Sequence, residues 1–178
     1  MNKIFKDLVS SISNRPYIDK DVTVKFLKRI GDELPLTKPD SFYDHFCSFF
    51  VPVDRKNKLV YLGHHIKARD WIPPGGHIEK NENPKDTVIR EFSEELNFNL
   101  KDEPIQLFNI SITDLAPNPL HKCVRHYDFW FAVFIDKTDF VYLKKEYHDA
   151  GWFTFEEALK KTKTLHYSKI VQELKSLL

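Results

Sequence analysis

Glu91, Glu94 and Glu95 are separated by three and four residues, so on a helix their side chains share one face. Three like charges this close repel by roughly 0.2–0.5 kcal/mol per adjacent pair on an exposed helix, and by more where burial strips their water. A hard divalent cation such as Mg²⁺ resolves that conflict, because it binds oxygen ligands, keeps some waters and is commonly shared with substrate phosphates. Arg90 lies four residues before Glu94 and can orient its carboxylate. Upstream, Gly75 and Gly76 follow Pro73 and Pro74, and two residues without Cβ let the backbone approach a ligand closely. The carboxylates alone also suit a solvated acidic face, and it is the glycine pair that favours a site.

The elements that must hold these residues follow from local pattern. Asn83 is a good N-cap and Pro84 suits the first helical position, so a helix is expected from there to Leu96. Asn97 should stop it, since Asn tolerates the left-handed conformation. Val88, Ile89, Phe92 and Leu96 give this helix an apolar side to pack on a sheet. Strands are expected at Cys47–Val53 and Leu59–His64 around a polar turn at 54–58, then at Ile105–Ile112, His126–Ile135 and Phe140–Leu143, with a proline-containing loop over Asp114–Leu120. Thr154 and Glu157 form a capping-box pattern opening a short helix, and Ile170, Val171, Leu174 and Leu177 mark a terminal one. Ahead of all this, Ile4, Phe5, Leu8, Val9 and Ile12 recur at helical spacing, and a second helix is expected after Asp19. Pro35 and Pro39 then suggest a boundary near Asp40, giving an N-terminal helical extension over residues 1–40 and a main domain over 41–178. Interspersed strands and helices make the class α+β.

Composition narrows the partners. With 27 basic and 26 acidic residues in 178 and a formal net charge of +1, the chain lacks the basic excess of a dedicated nucleic-acid or anionic-membrane binder. Two cysteines, Cys47 and Cys123, make no disulfide framework and cannot build a zinc site without His or carboxylate help. No signal-peptide core or membrane-length apolar run is visible, so a cytoplasmic protein is expected.

The register of these residues resembles the Nudix signature: Gly, five residues, Glu, seven residues, Arg-Glu, an apolar residue, any residue, Glu-Glu, any residue, Gly, an apolar residue. Gly76, Glu82, Arg90, Glu91, Phe92, Glu94, Glu95 and Phe98 fall in place, and Asn97 alone departs, where the pattern has its last glycine. Trp71–His77 is similar to the family's usual lead-in, and Trp152–Ala158 to the segment that commonly closes its domain. The resemblance, to MutT-like Nudix hydrolases, implies an α/β/α sandwich on a mixed curved sheet. It also implies divalent-metal-dependent hydrolysis of the diphosphate linkage in a nucleoside diphosphate linked to a further group, with Mg²⁺ as cofactor and Mn²⁺ able to substitute.

Carried onto this chain, the resemblance makes Glu91, Glu94, Glu95 and the Gly76 carbonyl metal ligands, with Glu82 supporting the site and Arg90 holding a glutamate. Glu91 is the first choice of general base. Because the family sometimes places that role outside the signature, Glu146 and His148, in an expected loop before Gly151, are further catalytic candidates. His77 beside the glycines, and His126 and Asp128 alternating on one face of an expected strand, are candidates for substrate contact; His121 lies nearby. The basic run His64, His65, Lys67, Arg69 reads either as a phosphate contact or as a solvated turn, and Trp71, Tyr127 and Trp130 either as stacking residues or as core. The alternative functions are a Nudix-fold nucleotide sensor or interaction module without turnover, which retention of all the signature carboxylates disfavours, and an RNA-decapping type, which the balanced charge disfavours. A homodimer is compatible with the N-terminal helices.

Overall fold

A computed structural model describes residues 2–32, 34–38, 43–115 and 123–178. Pro39 and Asp40, where the boundary was expected, His121, and most of the proline-containing loop lie outside the described residues. Two helices open the chain, α1 (Asn2–Ile12) and α2 (Lys20–Gly31). Strands β1 (Asp44–Asp54), β2 (Leu59–His65), β3 (Asp70–Ile72) and β4 (Gly75–His77) precede helix α3 (Pro84–Leu96). Then come β5 (Ile105–Asp114), β6 (Arg125–Phe134), β7 (Tyr147–Thr154), α4 (Phe155–Lys161) and α5 (Leu165–Leu174), with a final 3-10 turn at Lys175–Leu177.

The strands form one mixed sheet in the order β3-β2-β1-β6-β5, with β4 pairing β1 and β7 pairing β2. The β1–β6 pair is parallel, and the other ladders are antiparallel. Strand period decides which residues go where. Along β6, Tyr127, Phe129, Phe131 and Val133 join one core, and Trp130, Ala132 and Phe134 join the other. A strand covered on both faces must be apolar on both, which explains the near-continuous apolar run. Phe92, Val88 and Leu96 of α3 and Phe5, Val9, Phe26 and Ile30 of α1 and α2 fill the first core. Phe155, Ala158, Ile170, Val171 and Leu174 of α4 and α5 fill the second. Helices on both faces of a mixed sheet are the sandwich the resemblance implied.

The first two helices are not a loosely tethered arm. Phe26 stacks edge-on against Phe46, Tyr127 and Phe129. Arg29, 4% exposed, pairs with Asp44 at 2.9 Å and donates to the Pro35 carbonyl, tying α2 to the first residue of β1.

Two expectations are corrected. Phe140–Leu143 is not a strand. It is an irregular segment whose Phe140 packs on Tyr61, Phe92 and Phe98, while the Leu143 N–H closes onto the Glu95 carbonyl at 2.8 Å. Its apolar residues serve the core without a ladder. His148 does not sit in a loop: Tyr147–Thr154 is a strand on the edge of β2. Tyr127 and Trp130, weighed as stacking residues, are core, 6% and 0% exposed.

Because Phe26 is fully buried among three aromatic rings, Phe26→Ala should destabilise the fold by about 3–5 kcal/mol. Equilibrium urea unfolding measures this, and a loss under about 1 kcal/mol would mean that the helix is only loosely docked.

Candidate active site

Local sequence places the acidic face. Asn83 accepts from the Lys85 and Asp86 N–H groups and Pro84 fills the first turn of α3, while Asn97 ends the helix at φ 48° and ψ 42°. The Asn at the departing position therefore adopts the left-handed conformation a glycine would supply. At the facing strand, Gly75 has φ +144°, and a Cβ there would overlap the Ser48 carbonyl and Phe49. A Cβ on Gly76 would overlap the Glu91 carboxylate. Gly75 is thus required by its backbone contacts and φ, while Gly76 lies directly against the carboxylate end of the first of the three glutamates.

Arg90 organises the charges. Its Nε donates to Glu82 Oε1 at 2.9 Å and its Nη2 to Glu82 Oε2 at 3.1 Å and to the His77 carbonyl at 3.0 Å. Its Nη1 donates to Glu91 at 2.8 Å and Glu94 at 3.2 Å. Glu82 also accepts from Thr87 Oγ1 and from the Glu79 N–H. Burial pushes the Glu82 carboxyl up, but these bonds outweigh it and hold the pKa below the usual range. Glu82 is fully engaged as an anchor for Arg90, and Arg90 in turn clamps β4 to α3.

Glu91 and Glu95 face inward, 9% and 7% exposed. Burial raises the Glu91 pKa, with Arg90 opposing it. Burial, then the charge of Glu91, raises Glu95 to about 8, although Tyr147 and the Gly75 N–H hydrogen-bond it. Glu94 turns outward with its side chain 57% exposed, so the three carboxylates do not converge on one point as they stand. An all-oxygen donor set of buried carboxylates, held beside a glycine carbonyl and short of counter-charge, fits a hard divalent cation.

Two hollows meet at this helix. A cleft of about 440 Å³ is lined by Gly75, Gly76, Glu91, Glu95, His126 and Asp128, among others. A second, of about 550 Å³, is bordered by Lys38, Lys80, Arg90, Glu91 and Glu94. Glu91 and His77 border both. A wider hollow of about 660 Å³, near Phe98 and Phe134, contains none of the signature carboxylates.

The structure brings most of the candidate residues together. Glu146 lines the cleft with His65 and Lys67, which approach its carboxylate at 3.6 and 3.7 Å; half of the basic run therefore faces the site. His148 is exposed on β7 and rests against His64, away from the cleft lining. Asp128, 1% exposed, accepts from Thr113 at 2.6 Å, while its Oδ1 has no partner among the described residues. Burial raises the Asp128 pKa to about 7.

Tyr147 was not anticipated. Its hydroxyl donates to Glu95 Oε2 at 2.8 Å from a ring 2% exposed. A Cβ on Gly63 would overlap that ring, so the glycine of β2 makes room for it. The β2–β7 register sets Tyr147 against His65 and Gly63 against Ala150, and no local pattern announces the contact between the ring and the glycine.

A model of the NUDIX domain matches residues 44–174. The chain belongs to the Nudix family. It shares that family's pyrophosphohydrolase chemistry, hydrolysis of a diphosphate linkage with a divalent metal ion. The dihydroneopterin triphosphate diphosphatase of Haemophilus influenzae is 28% identical over 128 residues, 66% of this chain and 78% of that protein. A probable DHNTP pyrophosphohydrolase of Lactococcus lactis is 30% identical over 89 residues, 49% of this chain and about half (52%) of that protein. Among solved structures, the E. coli dihydroneopterin triphosphate pyrophosphohydrolase superposes with a TM-score of 0.67 at 16% identity, covering 78% of this chain and 100% of that one. That likeness shows the fold. Among the described residues no helix is long and apolar enough to cross a membrane.

The raised Glu95 pKa has a definite sign. Between pH 4.5 and 8 the folded state holds a proton that the unfolded state has lost, so this group lowers metal-free stability as pH rises through that window. A cation binds the ionised form and gains over the same range. The increase in Tm on adding Mg²⁺ should therefore be larger at pH 8.5 than at pH 6 in thermal scans, and equal increases would contradict the buried-carboxylate assignment.

Proposed function

We propose that the chain is a Mg²⁺-dependent pyrophosphohydrolase, with Mn²⁺ able to substitute, acting in the cytoplasm on a triphosphate whose base carries a 2-amino-4-oxo edge, dihydroneopterin triphosphate being the first choice. One observation carries the reading: Glu91 stands where a hollow flanked by lysines meets a deep cleft. The lysines suit the phosphate chain, and the cleft suits the base.

Glu91, Glu94, Glu95 and the Gly76 carbonyl would hold the ion, with Glu82 acting through Arg90. When bound, Mg²⁺ neutralises phosphate oxygens and lowers the pKa of a coordinated water. The residues supply the rest. Lys38 and Lys80 screen the charge of the departing pyrophosphate. Glu91, held by Arg90 and raised by its burial, accepts the proton of the attacking water; Glu146, which lines the same cleft, is the second candidate. Water adds to the phosphorus nearest the sugar-like tail, the bond to the bridging oxygen breaks, and pyrophosphate leaves with the bonding electrons. In the cleft, Asp128 Oδ1 is a buried acceptor whose need matches the adjacent ring N–H and amino N–H donors of a pterin or guanine. His77 and His126 line the wall beside it. The relatives that act on dihydroneopterin triphosphate by name support this choice.

In a metal-supplemented panel, dihydroneopterin triphosphate and dGTP should be cleaved to pyrophosphate with higher kcat/KM than dATP or dCTP, and Asp128→Asn should erase that preference. A Glu94→Gln/Glu95→Gln double variant should lose about 10²-fold or more in turnover while keeping its far-UV circular dichroism. Near-normal turnover in the folded double variant would refute the site, and an unselective panel would refute the role of Asp128.

A further inference from the structure

The sheet register gathers a second set of donors that the carboxylate chemistry does not use. His45 and Cys47 are two apart on β1 and so share one face. Cys47 pairs with His77 on β4, and His45 pairs with His126 on the parallel strand β6. Three strands distant in sequence thereby bring together three imidazoles and a thiol. The rings form a near-equilateral triangle, with centroids 4.6 Å apart for His45–His77, 4.9 Å for His45–His126 and 5.2 Å for His77–His126. One ligand atom from each of the four residues lies within 4.8 Å of every other, the one such group among the described residues.

We infer that His45, Cys47, His77 and His126 form a second metal site, for a borderline-soft cation of the Zn²⁺ class, separate from the carboxylate set of α3. Zinc takes four N and S ligands tetrahedrally at about 2.0–2.3 Å, which places ligand atoms about 3.3–3.6 Å from one another. Closing from the observed spacing needs side-chain shifts of about 1 Å. Three nitrogens and a sulfur suit zinc and its neighbours far better than Mg²⁺. On binding, the Cys47 S–H gives up its proton and the thiolate sulfur bonds the ion. His45 and Cys47 are buried, while His77 and His126 border the cleft, so the ion has an entry path and a closed inner side. Asp128 pairs with Cys47 in the β1–β6 register and has a buried oxygen without a partner among the described residues, so a polar group stands beside the donors. With four protein ligands the ion keeps no open position, so it rigidifies the wall of the cleft and activates no water.

This inference stands apart from the Nudix assignment, and its test separates the two. The full-length protein, stripped with a chelator and dialysed, is titrated with Co²⁺ as a spectroscopic stand-in for Zn²⁺. Elemental analysis then counts zinc after reconstitution without Mg²⁺. One equivalent per chain is expected, together with the intense visible bands of tetrahedral Co²⁺ and a thiolate charge-transfer band. Cys47→Ser should lose the charge-transfer band, and His126→Asn should reduce zinc retained after gel filtration to less than a tenth. Glu94→Gln/Glu95→Gln should retain both signals. Circular dichroism identifies which variants fold, and either of the two ligand variants suffices. No charge-transfer band in the wild type, or a metal signal that survives in a folded Cys47→Ser or His126→Asn but vanishes in the glutamate double variant, would overturn the site.

Discussion

The architecture turns on the cost of burying like charges together. Glu91 and Glu95 sit four residues apart on one face of α3, each almost out of water, and Glu95 answers with a pKa near 8. Such a pair survives in a fold only if other groups compensate. Arg90 supplies the nearest positive charge and spends its donors on Glu82, Glu91, Glu94 and the His77 carbonyl. Tyr147 and the Gly75 N–H share Glu95. Each compensating group belongs to a different element, so the carboxylates fix the mutual positions of α3, β4 and β7. The same shortage of counter-charge favours a divalent cation at this face.

The sequence was most legible where the chemistry is local. Asn83, Pro84 and Asn97 bound α3 at both ends because capping depends on neighbours in the chain, and the Thr154–Glu157 capping box likewise opens α4. The contact of Gly76 with Glu91, fifteen residues on, is one that signature spacing encodes. Phe140–Leu143 misled because an apolar run reads the same whether it enters a ladder or plugs a core from an irregular segment. β7 escaped notice for the converse reason: Tyr147-His148-Asp149-Ala150-Gly151 has no clean alternation, since only part of it is covered, and its strand state comes from pairing with β2. The three-residue strands β3 and β4 are likewise made by their partners.

Side chains that meet only through register were the least legible. His126 and Asp128 stood out as a pair on one strand, and His77 stood out beside the glycines. Nothing in the chain joins them to His45 and Cys47, because β1 and β6 lie some eighty residues apart and their parallel register is set by the cores on either face. Tyr147 belongs with these. Its role needs β2, β7 and α3 at once, and the accommodating Gly63 is a glycine in a strand, which by itself signals only a close approach.

The two donor sets divide the cleft by hardness. On the α3 side every candidate donor is oxygen, with Glu94 more than half exposed, a set suited to an ion that must stay exchangeable with phosphate. On the β1–β6 side the donors are nitrogen and sulfur, two of them sealed under the sheet. Asp128 lines the same cleft, with one oxygen held by Thr113 and the other without a partner among the described residues. A buried acceptor of this kind discriminates strongly, because a ligand lacking the matching donor leaves it unpaired. The base-reading role proposed for it requires that it keep its place, and its neighbours in register are Cys47 and Ser111. An ion bonded to Cys47 and His126 would immobilise β6, which carries that carboxylate, together with β1 beside it. Selectivity for the base and occupancy of the softer site are then physically linked, although no atom of the substrate need touch the metal.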